Sequence, residues 1–311
     1  MGVLSASIPI CNKVRMKRAT TIEEQIILLK DRGMTIEDEE KAKEILLDIG
    51  YYRLGFYWFP FEKTYPQKGE KRSHEFVDDT SFNDAVDLYY FDHDLRNTLL
   101  SYLCRIEINL RTFVIYHISH IYKNNPLWFV DSSVLDKNFV TYFQKTYLDN
   151  IRNNATIKHH HRKYPQDLMA PAWKTLEYAT FGDIIMLCRS LKDSNLQKDI
   201  AEHYNIRNLD VFYNYIGTVR VLRNLCAHGH NIFDLRLQKS IKTGPITNVQ
   251  RDEHHNLSGA LKVLLFLLSK ISIHRELDLR MEILELLEKN RTKNIYPIIS
   301  YLLPVTDQKQ K

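Results

Sequence analysis

Apolar side chains recur along this chain every three to four residues, as in amphipathic helices, and the alternating pattern of strands is nearly absent. Only 10 Gly and 9 Pro interrupt the 311 residues. We therefore expect an all-α fold. The pattern predicts helices over about residues 22–29, 36–49, 82–122, 181–190, 196–204, 210–227, 257–273 and 277–287.

Polar residues suggest where several helices begin and end. Thr21 can cap the first helix with Glu24 as its capping-box acid, and Thr35 or Asp38 can cap the second. Gly50 suits the end of the second helix, before an aromatic-rich stretch over residues 51–61. The long helix over 82–122 contains acidic residues at 92–94, where we expect that it can break.

Shifts in composition divide the chain into four parts. Residues 1–19 are predicted to form a loose basic arm with Lys13, Arg15, Lys17 and Arg18. A helical module over 20–79 ends in a polar loop, and a larger helical domain spans 80–290. Within that domain, residues 124–172 are typical of an insertion with short helices, and residues 291–311 form a C-terminal tail.

The overall charge and the cysteines bear on the possible partners of the protein and on its cellular compartment. A net charge of +5 permits a nucleic-acid partner without requiring one. The four cysteines form no close pair, which is typical of free thiols in a reducing compartment. The apolar run at 263–268 is too short to span a bilayer, and the start has no signal-peptide pattern. We expect a cytoplasmic protein that does not bind a membrane.

The helix predicted over 210–227 carries the most informative pattern. On a helical wheel, one apolar stripe contains Phe212, Tyr215, Ile216, Val219, Leu222 and Cys226. A second strip beside it contains Gly217, Arg220, Arg223, Asn224, Ala227 and His228. Two guanidinium groups, one amide and one imidazole are therefore expected on one side of the helix, next to two small residues.

That set of side chains suits RNA cleavage, because RNA supplies its own nucleophile in the 2′-hydroxyl group. An imidazole such as His228 can move protons near neutral pH. A guanidinium group such as Arg223 can stabilise charge on the phosphate, and Asn224 can orient the imidazole or the phosphate. Arg223 is followed by His228 after four residues. An Arg followed by a His after four to six residues is not a specific signal by itself, since 19 Arg and 13 His in this chain give about 2.4 such pairs by chance. The alternative is a histidine that is favoured at the helix end by the helix dipole.

Four segments resemble the bacterial AbiF/AbiD abortive-infection proteins of the HEPN superfamily, over about residues 20–270. They are EEQIILLKDRGMTIEDEEKAKEILLDIGYYRLGFYWFPF, LYYFDHDLRNTLLSYLCRIEINLRTFVIYHIS, APAWKTLEYATFGDIIMLCRSL and VRVLRNLCAHGHNIFD. The resemblance implies a HEPN-like helical bundle related to the RNA-guided CRISPR ribonucleases. It also implies RNA cleavage during phage defence, restraint by a small structured noncoding RNA that acts as antitoxin, and a homodimer.

The resulting hypothesis is a metal-independent endoribonuclease toxin that needs no cofactor and leaves a 2′,3′-cyclic phosphate. His228 would be the general acid or base, Arg223 would stabilise the transition state, Asn224 would orient it, and Arg220 would hold the RNA backbone. Two rival hypotheses stay open. One is a non-catalytic RNA-binding protein, and the other is the HEPN protein-interaction partner of a nucleotidyltransferase toxin.

Further residues are candidates for RNA contacts: Arg105, Arg111, Tyr51, Arg53, Trp58, Lys158, Arg162, Lys163 and Lys174. Arg111 and His117 could form a second motif, although His117 lies on an apolar stripe and Arg111 is placed to pair with Glu107. The aromatic stretch at 51–61 is either a base-stacking surface or a small core, and the core is favoured. The run His159 to His161 is a poor metal site because it has no acidic helpers, and a phosphate-binding or solvated loop is favoured.

Overall fold

The computed structural model describes residues 18–246 and 249–306, and in these residues the regular structure is helical. This confirms the all-α prediction. The predicted basic arm falls almost entirely on residues 1–17, which lie outside the described residues. The chain divides into two compact units, the first ending at Val86 and the second beginning at Asp87. The boundary expected from composition, between residues 79 and 80, lies a few residues earlier.

The first unit contains three α-helices, α1 (Ile22–Asp31), α2 (Glu39–Asp48) and α3 (Tyr51–Trp58), followed by 3-10 turns at Phe59–Phe61 and Gly69–Lys71. The predicted capping box of α1 is present, since Glu24 N donates to Thr21 Oγ1 at 3.2 Å and Thr21 N donates to Glu24 Oε2 at 2.9 Å. For α2 the cap is Asp38 rather than Thr35. Gly50 follows α2 with a positive φ of 90°, which glycine adopts without strain.

The aromatic stretch serves mainly as a core of the first unit. Leu54, Tyr57 and Trp58 of α3 are at most 2% exposed. Trp58 also contacts the Tyr51 ring edge to face, with 4.9 Å between the ring centres. The buried residues of this stretch therefore form a small core, which is the interpretation that the sequence favoured.

The second unit holds the remaining helices, and α4 begins shortly before it. They are α4 (Phe82–Ile121), α5 (Lys137–Thr146), α6 (Ala155–Lys163), α7 (Ala172–Thr175), α8 (Phe181–Ser190), α9 (Ser194–Glu202), α10 (Leu209–Ala227), α11 (Leu257–Ile271), α12 (Ile273–Lys289), α13 (Tyr296–Ile299) and α14 (Leu303–Thr306). Helix α10 packs against α8, α9 and α11. In the described part of the chain, no helix combines the length and apolarity needed to cross a membrane.

Helix α4 is 40 residues long and continues through the acidic residues at 92–94. The expected break there was wrong, and the reason is that Asp92 does not face solvent. Its side chain is fully buried, and it pairs with Arg96 one turn later on the same helix. A buried acidic residue whose charge is paired can lie inside a helix without ending it.

The C-terminal region also differs from the expected tail. Up to residue 306 it forms the short helices α13 and α14, and Ile295, Ile299, Leu302 and Val305 are buried. Helix α14 packs against α11 and α12. Residues 291–306 therefore extend the helical core of the second unit.

Candidate active site on helix α10

Helix α10 is closed at both ends by local hydrogen bonds. At its start, the Asn208 side chain accepts from Val211 N at 3.2 Å. At its end, His230 N donates to Leu225 O at 3.0 Å and Gly229 N donates to Cys226 O at 3.2 Å. This is a Schellman motif, with Gly229 in the left-handed region at φ 67°. His228 is the last residue before the turn, so its imidazole stands at the rim of the helix.

The two faces predicted for this helix are present. All six residues of the apolar stripe are buried, from Phe212 to Cys226. The residues of the polar strip are half-buried or exposed, and His228, Ala227 and Arg220 are the most open. Burial raises the pKa of the Cys226 thiol to about 12, with the Asp92 carboxylate adding to the effect. That thiol stays protonated at neutral pH, so it does not compete with His228 for a chemical role.

Arg223 is held by a carboxylate from α4. Its Nε atom lies 3.0 Å from Glu107 Oε2, an ion pair without the alignment of a directed hydrogen bond. The other oxygen of Glu107 accepts from Arg111 Nη2 at 2.8 Å. We call Arg223, Glu107 and Arg111 the arginine–glutamate cluster. Two cations and one anion leave it with a formal charge of +1.

The two arginines of the cluster differ in access. The Arg223 side chain is 31% exposed, and its Nη1 donates to Asn224 Oδ1 at 3.2 Å. The Arg111 side chain is only 11% exposed and also donates to the carbonyl of Ala179 at 3.0 Å. Arg223 can therefore meet a phosphate. Arg111, expected to contact RNA, instead positions Glu107 and the segment that contains Ala179.

The segment after His228 is anchored to α4 by the buried Asp92. Asp92 Oδ1 accepts from Ile232 N at 3.0 Å and from Phe233 N at 2.8 Å, while Arg96 Nη1 donates to the carbonyl of His230 at 3.3 Å. Tyr301 of the C-terminal region donates its hydroxyl to the carbonyl of Phe233 at 2.7 Å. Three residues from two distant parts of the chain, α4 and the C-terminal region, thus hold the segment that follows His228.

Sequence reasoning missed Asp92, Arg96 and Tyr301, and it saw Glu107 only as the partner of Arg111. The signal available was the spacing of Asp92 and Arg96, four residues apart on one helix, which predicts an ion pair. Nothing in that spacing indicates that the pair is buried or which backbone groups it binds.

The remaining basic candidates near this helix are solvent-accessible. Arg220 and Arg105 are exposed. A Cβ atom at Gly182, the second residue of α8, would lie 3.5 Å from Arg220 Nη1, so that guanidinium group lies over the start of α8. Both arginines are open to a phosphate.

The histidine run at 159–161 lies on helix α6 and not in the predicted loop. Helix geometry exposes Lys158, His159, Arg162 and Lys163 on one side, which we call the α6 basic face. His160 points inward, with its Nε2 2.9 Å from Asp167 Oδ2 and its Nδ1 3.4 Å from Lys174 Nζ. His161 lies 2.5 Å from the Tyr147 hydroxyl. Within residues 18–246 and 249–306, no group of three or more His, Cys, Asp or Glu is placed to hold a metal ion.

The candidates in the first unit divide by exposure. Arg53 is exposed, and Tyr51 is half-buried with its hydroxyl 3.3 Å from Arg32 Nη1. Trp58 is 2% exposed, so the expectation that a base stacks on it is wrong for this structure. A ring so fully enclosed by the core offers no face to a base.

The second Arg–His spacing does not form a second open site. His117 Nε2 lies 3.0 Å from Asp199 Oδ2, and its ring stacks on Phe113 with 5.3 Å between the ring centres. His203 stacks on the same phenyl ring at 3.9 Å. His117 is thus a histidine with satisfied partners, as its position on the apolar stripe indicated.

The family described as Abi-like protein matches residues 44–234, which is more than half of the chain and includes α10 with its arginine–glutamate cluster and His228. No curated protein and no solved structure matches the chain significantly. The matched region covers three of the four segments that resemble the AbiF/AbiD proteins and a little under half of the other, its residues 44–61. The chain therefore belongs to the Abi-like, AbiF/AbiD-like family of abortive-infection proteins.

Proposed function

We propose that this protein is a phage-defence endoribonuclease that cleaves RNA without a metal ion, in the manner of the HEPN ribonucleases. The observation that supports this most is one helix end that carries both an exposed imidazole, His228, and a partly exposed guanidinium group, Arg223, anchored by Glu107 and Asn224. Anchoring on two sides matters because a catalytic group that is already oriented loses little entropy when the substrate binds.

The roles follow from the chemistry of each group. The 2′-hydroxyl attacks the neighbouring phosphorus, the bond to the 5′-oxygen breaks, and a 2′,3′-cyclic phosphate and a 5′-hydroxyl remain. His228 takes or gives the proton, and Arg223 stabilises the charge that develops on the phosphate oxygens. Asn224 keeps the guanidinium group of Arg223 in place. Arg220 and Arg105, both exposed, contact phosphates farther along the strand.

Expression in a bacterial host tests this proposal. We expect the wild-type protein to arrest growth and His228→Ala to relieve the arrest. The control is His274→Ala, because His274 is also exposed but lies at the start of α12. If His228→Ala arrests growth as strongly as the wild type, the protein acts as a binder or through a partner, and the proposed catalysis is wrong.

We further propose that a structured noncoding RNA binds the resting enzyme and inhibits it. The support is the family resemblance together with the α6 basic face, which offers phosphate contacts on a helix other than α10. RNA that co-purifies with His228→Ala tests it. One dominant species that suppresses the toxicity of the wild type is the expected result, and a random sample of cellular RNA would contradict it.

The active enzyme is proposed to be a homodimer in which two copies of α10 face one cleft. Gly217 and Ala227 have small side chains, which would allow a second copy of α10 to approach the polar strip closely. A Cβ atom at Gly217 would meet no heavy atom within 4 Å. The open space at a mid-helix glycine indicates no packing reason for it within the described chain. Light scattering should give twice the mass of one chain, 36.9 kDa. A monomer at micromolar concentration, with and without RNA, would exclude the dimer.

A further inference from the structure

Three aromatic rings stand exposed on the segment between α6 and α8, unlike the buried aromatic rings of the helical core. Tyr164 is 44% exposed, Trp173 is 51% exposed and Tyr178 is 39% exposed. The side chains of Trp173 and Tyr178 make no hydrogen bond, ion pair or ring contact with another described residue. Exposed rings that are scattered singly are ordinary, but rings gathered on one short segment can mark a binding surface.

This segment contacts helix α6 at one end and the arginine–glutamate cluster at the other. At one end, Lys174 Nζ lies 3.4 Å from His160 Nδ1, so α7 is held against α6. At the other end, the carbonyl of Ala179, which follows Tyr178, accepts from Arg111 at 3.0 Å. The exposed rings therefore lie on a path from helix α6, whose other side carries the α6 basic face, to the helix pair that carries Arg223.

The charge of the path complements a nucleic-acid backbone. Residues 155–182 contain four Lys or Arg (Lys158, Arg162, Lys163 and Lys174) against two acidic residues, Asp167 and Glu177, which leaves a net charge of +2. Asp167 is already engaged by His160. Cations interleaved with exposed rings form the arrangement that binds single strands, in which phosphates meet the cations and bases stack on the rings.

We propose that Trp173 and Tyr178 stack on unpaired bases of the RNA, next to the phosphate held by Arg223. This inference rests on the proposed function and deepens it, since it makes the substrate single-stranded at the bases adjoining the cleavage site. In a duplex each base already stacks on its neighbours, and its face is not offered to a side chain. A paired substrate would leave both rings in water.

Tryptophan fluorescence gives a direct test, because the chain has three Trp residues and Trp58 and Trp128 are at most 2% exposed. The probe is an unstructured RNA oligonucleotide titrated into inactive His228→Ala protein. We expect the RNA to quench the emission and to shield it from acrylamide. In the variant that also carries Trp173→Phe, this response should be lost although the RNA still binds.

Affinity measurements on the same inactive background complete the test. Trp173→Ala and Tyr178→Ala should each weaken binding of the single strand about five-fold or more. Trp173→Phe should restore most of that loss. The matched control is Tyr116→Ala, since Tyr116 is 64% exposed on α4. An abasic strand with the same phosphates, and a blunt duplex, should bind Trp173→Ala and its parent equally.

The outcomes separate this inference from the function on which it rests. If His228-dependent cleavage occurs but both alanine variants bind the single strand like the parent, the stacking proposal is wrong and the ribonuclease assignment stands. Equal losses with the abasic strand would likewise overturn stacking, because only the phosphates remain to be contacted. If the parent protein binds no RNA at all, both proposals are wrong.

Discussion

Replacing His228 with Ala is expected to lower the rate of RNA cleavage by about 10²- to 10⁴-fold, the usual contribution of a general acid or base. RNA affinity should stay within a few-fold of wild type, because an exposed imidazole at the helix end contributes little to backbone binding. The measurement is single-turnover cleavage of a labelled oligonucleotide, with affinity measured separately. His274→Ala is the control and should cleave at the wild-type rate.

Arg223→Ala should abolish cleavage in the same assay and also weaken binding, since it removes a phosphate contact as well as a charge near the reacting phosphorus. Arg223→Lys keeps the charge but not the planar fork that Glu107 and Asn224 orient, so it should recover affinity more than rate.

Cleavage by the wild type should persist in EDTA. If EDTA stopped it and magnesium restored it, the metal-independent mechanism would be wrong.

Replacing Asp92 with Ala is expected to lower the free energy of unfolding by about 3–5 kcal/mol, the usual effect of breaking a buried ion pair. Asp92 is 0% exposed and the Arg96 side chain is 5% exposed, so the variant leaves a buried cation without its anion. It also removes the acceptor for Ile232 N and Phe233 N. Cleavage should fall as well, because the turn after His228 loses its anchor. Urea unfolding of the full chain, compared between the variant and the wild type, measures this change in the free energy of unfolding.

Asp94→Ala is the matched control, since it removes the same side chain two positions along α4. The Asp94 side chain is 43% exposed, and its contacts to His93 and Lys289 are surface pairs. The change should lie within about 0.5 kcal/mol of zero. Asp92→Asn should fall between the two, because its amide oxygen still accepts from the backbone but no longer neutralises Arg96. Equal stabilities for Asp92→Ala and Asp94→Ala would contradict the role assigned to Asp92.

Local sequence signals predicted the elements that depend on neighbours along the chain. The capping box at Thr21 and Glu24 is made within one turn, and both of its hydrogen bonds are present. The helix predicted over 181–190 coincides with α8 at both ends. The two faces of α10 follow from its 3.6-residue period, so the wheel placed its core residues and its polar strip correctly.

Local signals failed where a polar or aromatic residue was buried by distant partners. Asp92 reads as a surface acid in a helix, yet its backbone partners lie 140 and 141 residues away. The sequence favoured a core for the stretch 51–61 but could not say which of its rings stay exposed, and the candidate stacking ring Trp58 is one that the fold buries. His160, in the middle of a basic run, turns inward because the helix directs it toward Asp167 and Lys174.

The sequence by itself determined the helical class, the face of α10 that carries Arg223, Asn224 and His228, and the family resemblance. These depend on periodicity and on residue types within a short stretch of chain. Only the tertiary structure decided that Glu107 holds both Arg111 and Arg223, and that Arg223 is the more exposed of the two. The reason is physical: a helical wheel gives the direction of a side chain, whereas access and charge pairing depend on which other segment packs against it.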